Sequence, residues 1–252
     1  MIARLYGGQT RCLIGFPDQG ALLCDAGVSH ARARGDPHSL TWALVGSGLI
    51  RIILRDTDEA ERLLREALDL AHEHRMPQWI GFAQALLGFA LCSNGDPQTG
   101  IKLQDEGIRR LHAAGSMLMT TLFRMDLAKS LIGIGELERA RLHLVAGQSH
   151  RESHGEDVCA AELERVEAKL LRAEGAPSGA VAAQLDKAIS TARSQNARLF
   201  ELRAATSLAQ LWRDEGRRAE ASGLLAPIYG WFTEGFAMPD LKEAKALLEE
   251  LG

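Results

Sequence analysis

A period of about 40 residues runs through the whole of this chain and constrains its fold more than any other feature. Glycines stand at Gly15, Gly95, Gly135, Gly175 and Gly216. The vacant place between the first two is Arg55, followed by Asp56 just as Gly95 is followed by Asp96. Two further columns keep the same phase. Seven residues before the turn position stand Gly8, Gly48, Gly88, Ala128, Ala168 and Ala209; five residues after it stand Gly20, Ala60, Gly100, Ala140, Ala180 and Ala221. A third column, twelve after the turn, reads Gly27, Ala67, Gly107 and Gly147, then breaks at Lys187 and Ile228. One extra residue in the turn at 176–179 restores Ala188 to that column and accounts for the 41-residue step. The last unit stays an exception.

Small residues on both sides of a glycine turn let two antiparallel helices approach closely, with glycine ending the first. Each unit then reads as a helix hairpin. The first helices are expected at about 2–14, 38–54, 78–93, 117–133, 157–174 and 199–214, and the second at about 18–34, 57–74, 98–113, 136–153, 179–195 and 217–233. A closing helix follows over 239–251, opened by Pro239-Asp240 and striped by Glu243, Ala244, Leu247, Leu248 and Leu251. Asp36-Pro37 and Asp96-Pro97 mark helix starts. In 58–74, Ala60, Leu63, Leu64, Ala67, Leu68 and Ala71 share one face. Composition agrees: Leu and Ala supply 75 residues against 27 for Val, Ile and Thr. The expected fold is an all-α, right-handed superhelical solenoid of about six hairpins plus a closing helix, one domain across 1–252.

A net charge of −4 removes the overall basic excess of a general nucleic-acid binder. Cys12, Cys24, Cys92 and Cys159 are scattered with no C-x-x-C pair, which argues against a disulfide scaffold or zinc site and for a reducing cytoplasm. The N-terminus carries no apolar run of signal-peptide length. The 20 uncharged residues between Arg75 and Asp96 are long enough for a bilayer, but Gln78, Gln84, Ser93, Asn94 and several glycines favour a buried repeat helix. His150 and His154 have the spacing of a two-histidine metal pair, yet their place before Gly155 reads better as a solvated helix end. Cys159 reads as a packing residue, not a nucleophile. Trp212, Tyr229, Trp231, Phe232 and Phe236 are expected to pack the last hairpin against the closing helix and cap the solenoid's open end. No catalytic motif and no cofactor site emerges.

Small residues at three fixed places in a helix hairpin resemble the tetratricopeptide-like repeats, here longer than the usual ~34 residues. The stretch from Leu211, LWRDEGRRAEASGLLAPIYGWFTEGFAMPDLKEAKALLEEL, is similar to the end of the helical-repeat tail of large bacterial signalling proteins. Those join an adenylate or guanylate cyclase or a DNA-binding output domain to a P-loop ATPase and a tetratricopeptide-like tail. The chain has no G-x-x-x-x-G-K-[ST] and no strand-rich cyclase sequence, so the resemblance implies the tail alone, stand-alone or a fragment, with neighbouring domains as partners.

In such stacks the first helix of each hairpin lines the concave face, so positions 13, 10, 6 and 3 before each turn are expected to point inward. They are Trp42, Val45, Leu49 and Ile52, then Phe82, Ala85, Phe89 and Cys92, then Leu122, Met125, Lys129 and Ile132. The fifth unit places Glu162, Arg165, Lys169 and Arg172 there, and the sixth Arg203, Thr206, Gln210 and Arg213. The expected groove runs from apolar to basic. It suits a protein or peptide segment with apolar anchors and acidic residues, held by Trp42, Phe82, Phe89, Lys129, Arg165, Lys169, Arg172, Arg203 and Arg213. A non-catalytic interaction module is the favoured function, and a small-effector domain inside the superhelix the alternative. Neither a membrane nor nucleic acid is an expected partner.

Overall fold

The computed structural model describes residues 2–252 and holds thirteen helices with no strand among them. They are α1 (Ile2–Leu13), α2 (Pro17–Arg34), α3 (Pro37–Ile53), α4 (Thr57–Glu73), α5 (Pro77–Ser93), α6 (Pro97–Ala113), α7 (Thr120–Gly133), α8 (Leu137–His154), α9 (Ala160–Ala173), α10 (Ser178–Ser194), α11 (Arg198–Asp214), α12 (Arg218–Tyr229) and α13 (Pro239–Leu251). The six expected hairpins and the closing helix are all present. Asp36 and Asp96 cap α3 and α6, accepting the backbone N–H of Ser39 and Thr99 at 2.9 and 3.1 Å. The uncharged stretch after Arg75 becomes α5, and no helix among the described residues is long and apolar enough to cross a membrane.

Three helix ends differ from expectation. α7 and α9 begin about a turn late, because 116–119 and 156–159 form turns, with Met119 itself left-handed at φ 61°. α12 stops at Tyr229, four residues early, where Pro227 and Gly230 follow each other in the last turn.

The glycine column marks left-handed turns, with φ from 76° to 100° at Gly15, Gly95, Gly135, Gly175 and Gly216, and Arg55 takes the same conformation at φ 60°. A second column, half a period away, had no place in the sequence reading. Gly35, Arg75, Gly115, Gly155 and Asn196 follow the ends of the second helices, and Gly235 stands in the loop after α12, all with φ between 53° and 78°. Among the described residues Arg75 has no side-chain hydrogen bond or ion pair, and its φ of 53° is costly for a residue with a Cβ. Arg75→Gly is therefore expected to raise the unfolding free energy by about 1 kcal/mol, read from urea denaturation.

The small-residue columns sit where the paired helices touch. A Cβ added to Gly88 would lie 2.4 Å from the Gly100 carbonyl oxygen, and one on Gly100 would lie 2.4 Å from that of Gly88. In the fifth unit the register slips by one, as the 41-residue step requires. Ala180 is exposed, Val181 takes its place at 3% exposure, and Ala188 is fully buried. The last unit seats Ile228 where the others hold small residues.

The odd-numbered helices α1 to α11 form an inner layer, each touching the next. Each even-numbered helix lies outside, against its own partner and the following inner helix. The stack does not end open. α11 touches α1, and Cys12, Cys24, Ile50 and Leu54 share one core cluster with Leu199, Leu202, Leu225 and Leu241. The seam is specific. Gln19 donates its backbone N–H and its side-chain amide to the two carboxylate oxygens of Glu234 at 3.0 and 2.9 Å, and the Gly235 N–H donates to Asp18 at 2.9 Å. Trp231 lies edge-on to Phe16 at 5.6 Å, over Gly15, where a Cβ would meet its ring at 2.2 Å. The expected role of the C-terminal aromatics is thus corrected for Trp231, which joins the last hairpin to the first and closes the solenoid into a ring.

Candidate functional site

The curved stack surrounds a central chamber of about 1000 Å³ that remains partly open to solvent. A 3.6-residue step carried from position −13 lands near −9, −6 and −2, and backwards near −16. The wall follows that step. Of the expected residues, Trp42, Val45, Leu49, Phe82, Phe89, Leu122, Met125, Lys129, Glu162, Arg165, Lys169, Arg203, Thr206 and Gln210 line the chamber. Position −3 does not: apart from Ile52, its members Cys92, Ile132, Arg172 and Arg213 lie outside the lining, and Ile53 and Ser93 at −2 take the wall instead. Arg172 and Arg213 are held at the turn end of their helices. Arg172 pairs with Asp214 at 2.7 Å, and Arg213 with Asp214 and Glu250 at 2.8 and 3.0 Å. Their assignment to the groove is corrected. The −16 column, Trp79, Met119, Cys159 and Phe200, was missed, although it lies one helical turn from −13.

The apolar side is an aromatic run. Trp42, Trp79, Phe82 and Phe123 follow one another at centroid distances of 5.6 to 5.8 Å. Phe82 is 3% exposed, while Trp42 and Phe89 stay half-buried and open to the chamber. Leu118 and Val158, about 60% exposed, extend the apolar surface at the N-terminal ends of α7 and α9.

The other side is charged but not simply basic. Its cations are Arg55, Lys129, Arg165, Lys169 and Arg203, and its carboxylates Asp126, Glu156, Glu162, Asp240 and Glu243. Glu162, 2% exposed, is held by Arg165 through two hydrogen bonds of 2.7 and 2.8 Å and by Lys129 at 3.0 Å. Burial raises its pKa, but Arg165, Lys129 and Arg203 outweigh that and hold it well below the usual carboxylate range. Arg203 places two donors on Asp240 at 2.8 and 3.1 Å and a third on the Ile53 carbonyl, so it ties α11 to α13 and to α3. Arg55 reaches Glu243 at 2.8 Å. Asp126, 3% exposed, accepts from Lys129 at 3.3 Å, and burial pushes its carboxyl up despite that contact. The uncompensated basic half expected from sequence is therefore replaced by a nearly balanced network.

Glu156 has a structural duty: it accepts the N–H groups of Met119 and Thr121 at 2.6 and 2.9 Å, capping α7. His150 is not solvated as expected. It is 8% exposed, stacked on His154 at 4.0 Å, and 3.6 Å from Glu156. No group of three metal-ligand side chains occurs among the described residues. Burial pushes the Cys159 thiol up to about 12, so it stands in the chamber wall as a packing group.

Three solved structures share this arrangement of helices. The apo form of RapI superposes with a TM-score of 0.66 at 10% identity, over 97% of this chain and 80% of its own. A Rap protein complexed with competence and sporulation factor gives 0.64 at 13%, over 98% and 72%. BtubC (BKLC) from P. vanneervenii gives 0.55 at 16%, over 92% and 87%. The fold is tetratricopeptide-like. No protein-family model matches the chain, and no curated protein is similar to it in sequence. In this tetratricopeptide-like fold the inner helices of a repeat array provide an extended concave surface, and here that surface is wrapped into the chamber.

Proposed function

We propose that residues 1–252 form one non-catalytic regulatory module, which seats a short protein or peptide segment in its central chamber. On this reading it is the interaction tail of a larger cytoplasmic signalling protein of the cyclase or ATPase type, with that protein's neighbouring domains as the other partners. The size and lining of the chamber carry the proposal. A chamber of about 1000 Å³, walled by half-buried aromatics and a paired ion network, is at the upper end of the ~300–1,000 Å³ of ligand pockets. The Rap protein complexed with competence and sporulation factor supports it by fold analogy only. The same chamber favours a second reading, a small-effector domain.

The uncharged dye N-phenyl-1-naphthylamine tests the site. It is expected to bind once per chain with enhanced emission, quenching Trp42 and Trp79, and to be displaced by end-blocked Leu- and Phe-rich peptides. Phe89→Asp, which takes an aromatic off the open apolar wall and sets a carboxylate beside Lys129, is expected to weaken dye binding about tenfold or more, roughly the worth of one lost apolar side-chain contact. Dye binding indifferent to Phe89→Asp would reject the chamber as the site. Displacement by apolar metabolites and by no peptide would favour the effector reading.

A further inference from the structure

The joints between consecutive hairpins are not equal. α7 and α9 begin a turn late, and α6 against α7 and α8 against α9 are the two thinnest of these contacts. Imidazoles from both sides meet a guanidinium at the first of them. Arg124 of α7 donates from Nη1 to Nδ1 of His143 on α8 at 3.4 Å. A guanidinium cannot accept, so this contact requires an unprotonated Nδ1 and a neutral His143. From α6, His112 places its Nε2 3.4 Å from the Thr120 hydroxyl. That hydroxyl donates its hydrogen to the Met117 carbonyl at 2.8 Å, so it accepts from His112. Among the described residues Arg124 has no ion pair, and its charge acts on both rings.

We propose that the junction of α6, α7 and α8 is a proton-operated joint: protons taken up by His143 and His112 gather like charges around Arg124 and loosen α7 from its neighbours. Burial first, and Arg124 second, lower the proton affinity of both rings. The other groups facing them do not reverse this. Asp105 of α6 favours a charged His143, but Arg139 of α8 opposes it and lies 3.8 Å from Asp105. His150 of α8 adds to the repulsion at His112, while Glu156 faces His150 at 3.6 Å. An open joint therefore binds these protons more readily than a closed one. Closure is favoured above about pH 6.5, and weakens as the pH falls through the ordinary histidine range. α7 also brings Met119, Leu122 and Met125 to the chamber wall, so the joint links that wall to pH.

Amide hydrogen exchange of the whole chain at pH 7.5 and 5.5, corrected for intrinsic rates, tests the joint. Protection across 120–133 is expected to fall about tenfold at the lower pH, the order of a like-charge contact between partly buried groups. α10 and α11, which carry no histidine, should keep theirs. The double variant His112→Gln/His143→Gln leaves Arg124 an acceptor and removes both titrating rings, so its protection should hold at both pH values. His72→Gln, on the exposed face of α4, should behave as the wild type. His143→Gln and Arg124→Met, taken singly, should each shrink the loss at least twofold, which keeps the test decisive if the double variant does not fold. A loss that survives these substitutions overturns the proposal. So does an equal loss in every helix, or no loss at pH 5.5.

Discussion

Arg203→Met is expected to cost about 3–5 kcal/mol of folding free energy, the range for removing one partner of a buried ion pair. The side chain of Arg203 is 10% exposed and that of Asp240 6%, so losing the guanidinium takes both close hydrogen bonds from a buried carboxylate and leaves it only the longer contact with Arg55 at 3.7 Å. It also frees the Ile53 carbonyl and withdraws a third cation from Glu162, 3.9 Å away. These contacts join α3, α9, α11 and α13, so the variant should loosen the ring as well as lower the urea midpoint, raising the radius of gyration in small-angle scattering. The double variant Arg203→Met/Asp240→Leu should recover most of the loss, since a well-packed apolar pair can replace a buried ion pair. A single variant that unfolds at the wild-type midpoint would show that the pair carries no weight in closure.

Gly100→Val is expected to cost about 3 kcal/mol or more. The first added atom would already lie 2.4 Å from the Gly88 carbonyl oxygen and 2.8 Å from the backbone nitrogen of Cys92. Both are backbone atoms of α5 and cannot rotate away, so α5 and α6 must separate. Gly179→Val provides the control: nothing lies within 4 Å of a Cβ there, and its cost should stay within the few tenths typical of an exposed helix position. Thermal unfolding of the two variants side by side reads the difference directly.

The repeat was legible because it is written in residues whose size is dictated by backbone contact. Gly88 and Gly100 face each other at a distance no larger residue allows, and a small residue, Gly or Ala, stands at both places in each of the other units but the slipped fifth. The slipped turn before α10 was legible for the same reason, through Ala188. The chamber was legible only in part. Counting back by threes and fours placed Trp42, Phe89 and Lys169 correctly but carried Arg172 and Arg213 into the wall, because a three-residue step falls short of a helical turn. The second column of left-handed turns was hidden where Arg75 and Asn196 stand in for glycine. The charge balance was misread for a different reason. Asp240 and Glu243 reach the chamber from the closing helix, outside the period, so no column could announce them. The seam left no trace either: Gly15 looks like any other turn glycine until Trp231, more than two hundred residues later, is laid upon it.

Closure has a consequence for how many units such a chain can hold. In an open solenoid each repeat answers only to its neighbours, so units can be added or removed, and the two end faces must be made polar to stop chains from joining end to end. Here each end face is the cap of the other. The pairing of Gln19 with Glu234 and of Phe16 with Trp231 exists only if the accumulated rotation of the intervening hairpins brings the last one back to the first. Unit number is thereby a closure condition, as blade number is in a propeller. Excising one 40-residue unit would leave every remaining hairpin locally sound, yet would expose both apolar faces of the seam at once and turn a self-capped ring into a chain with two adhesive ends.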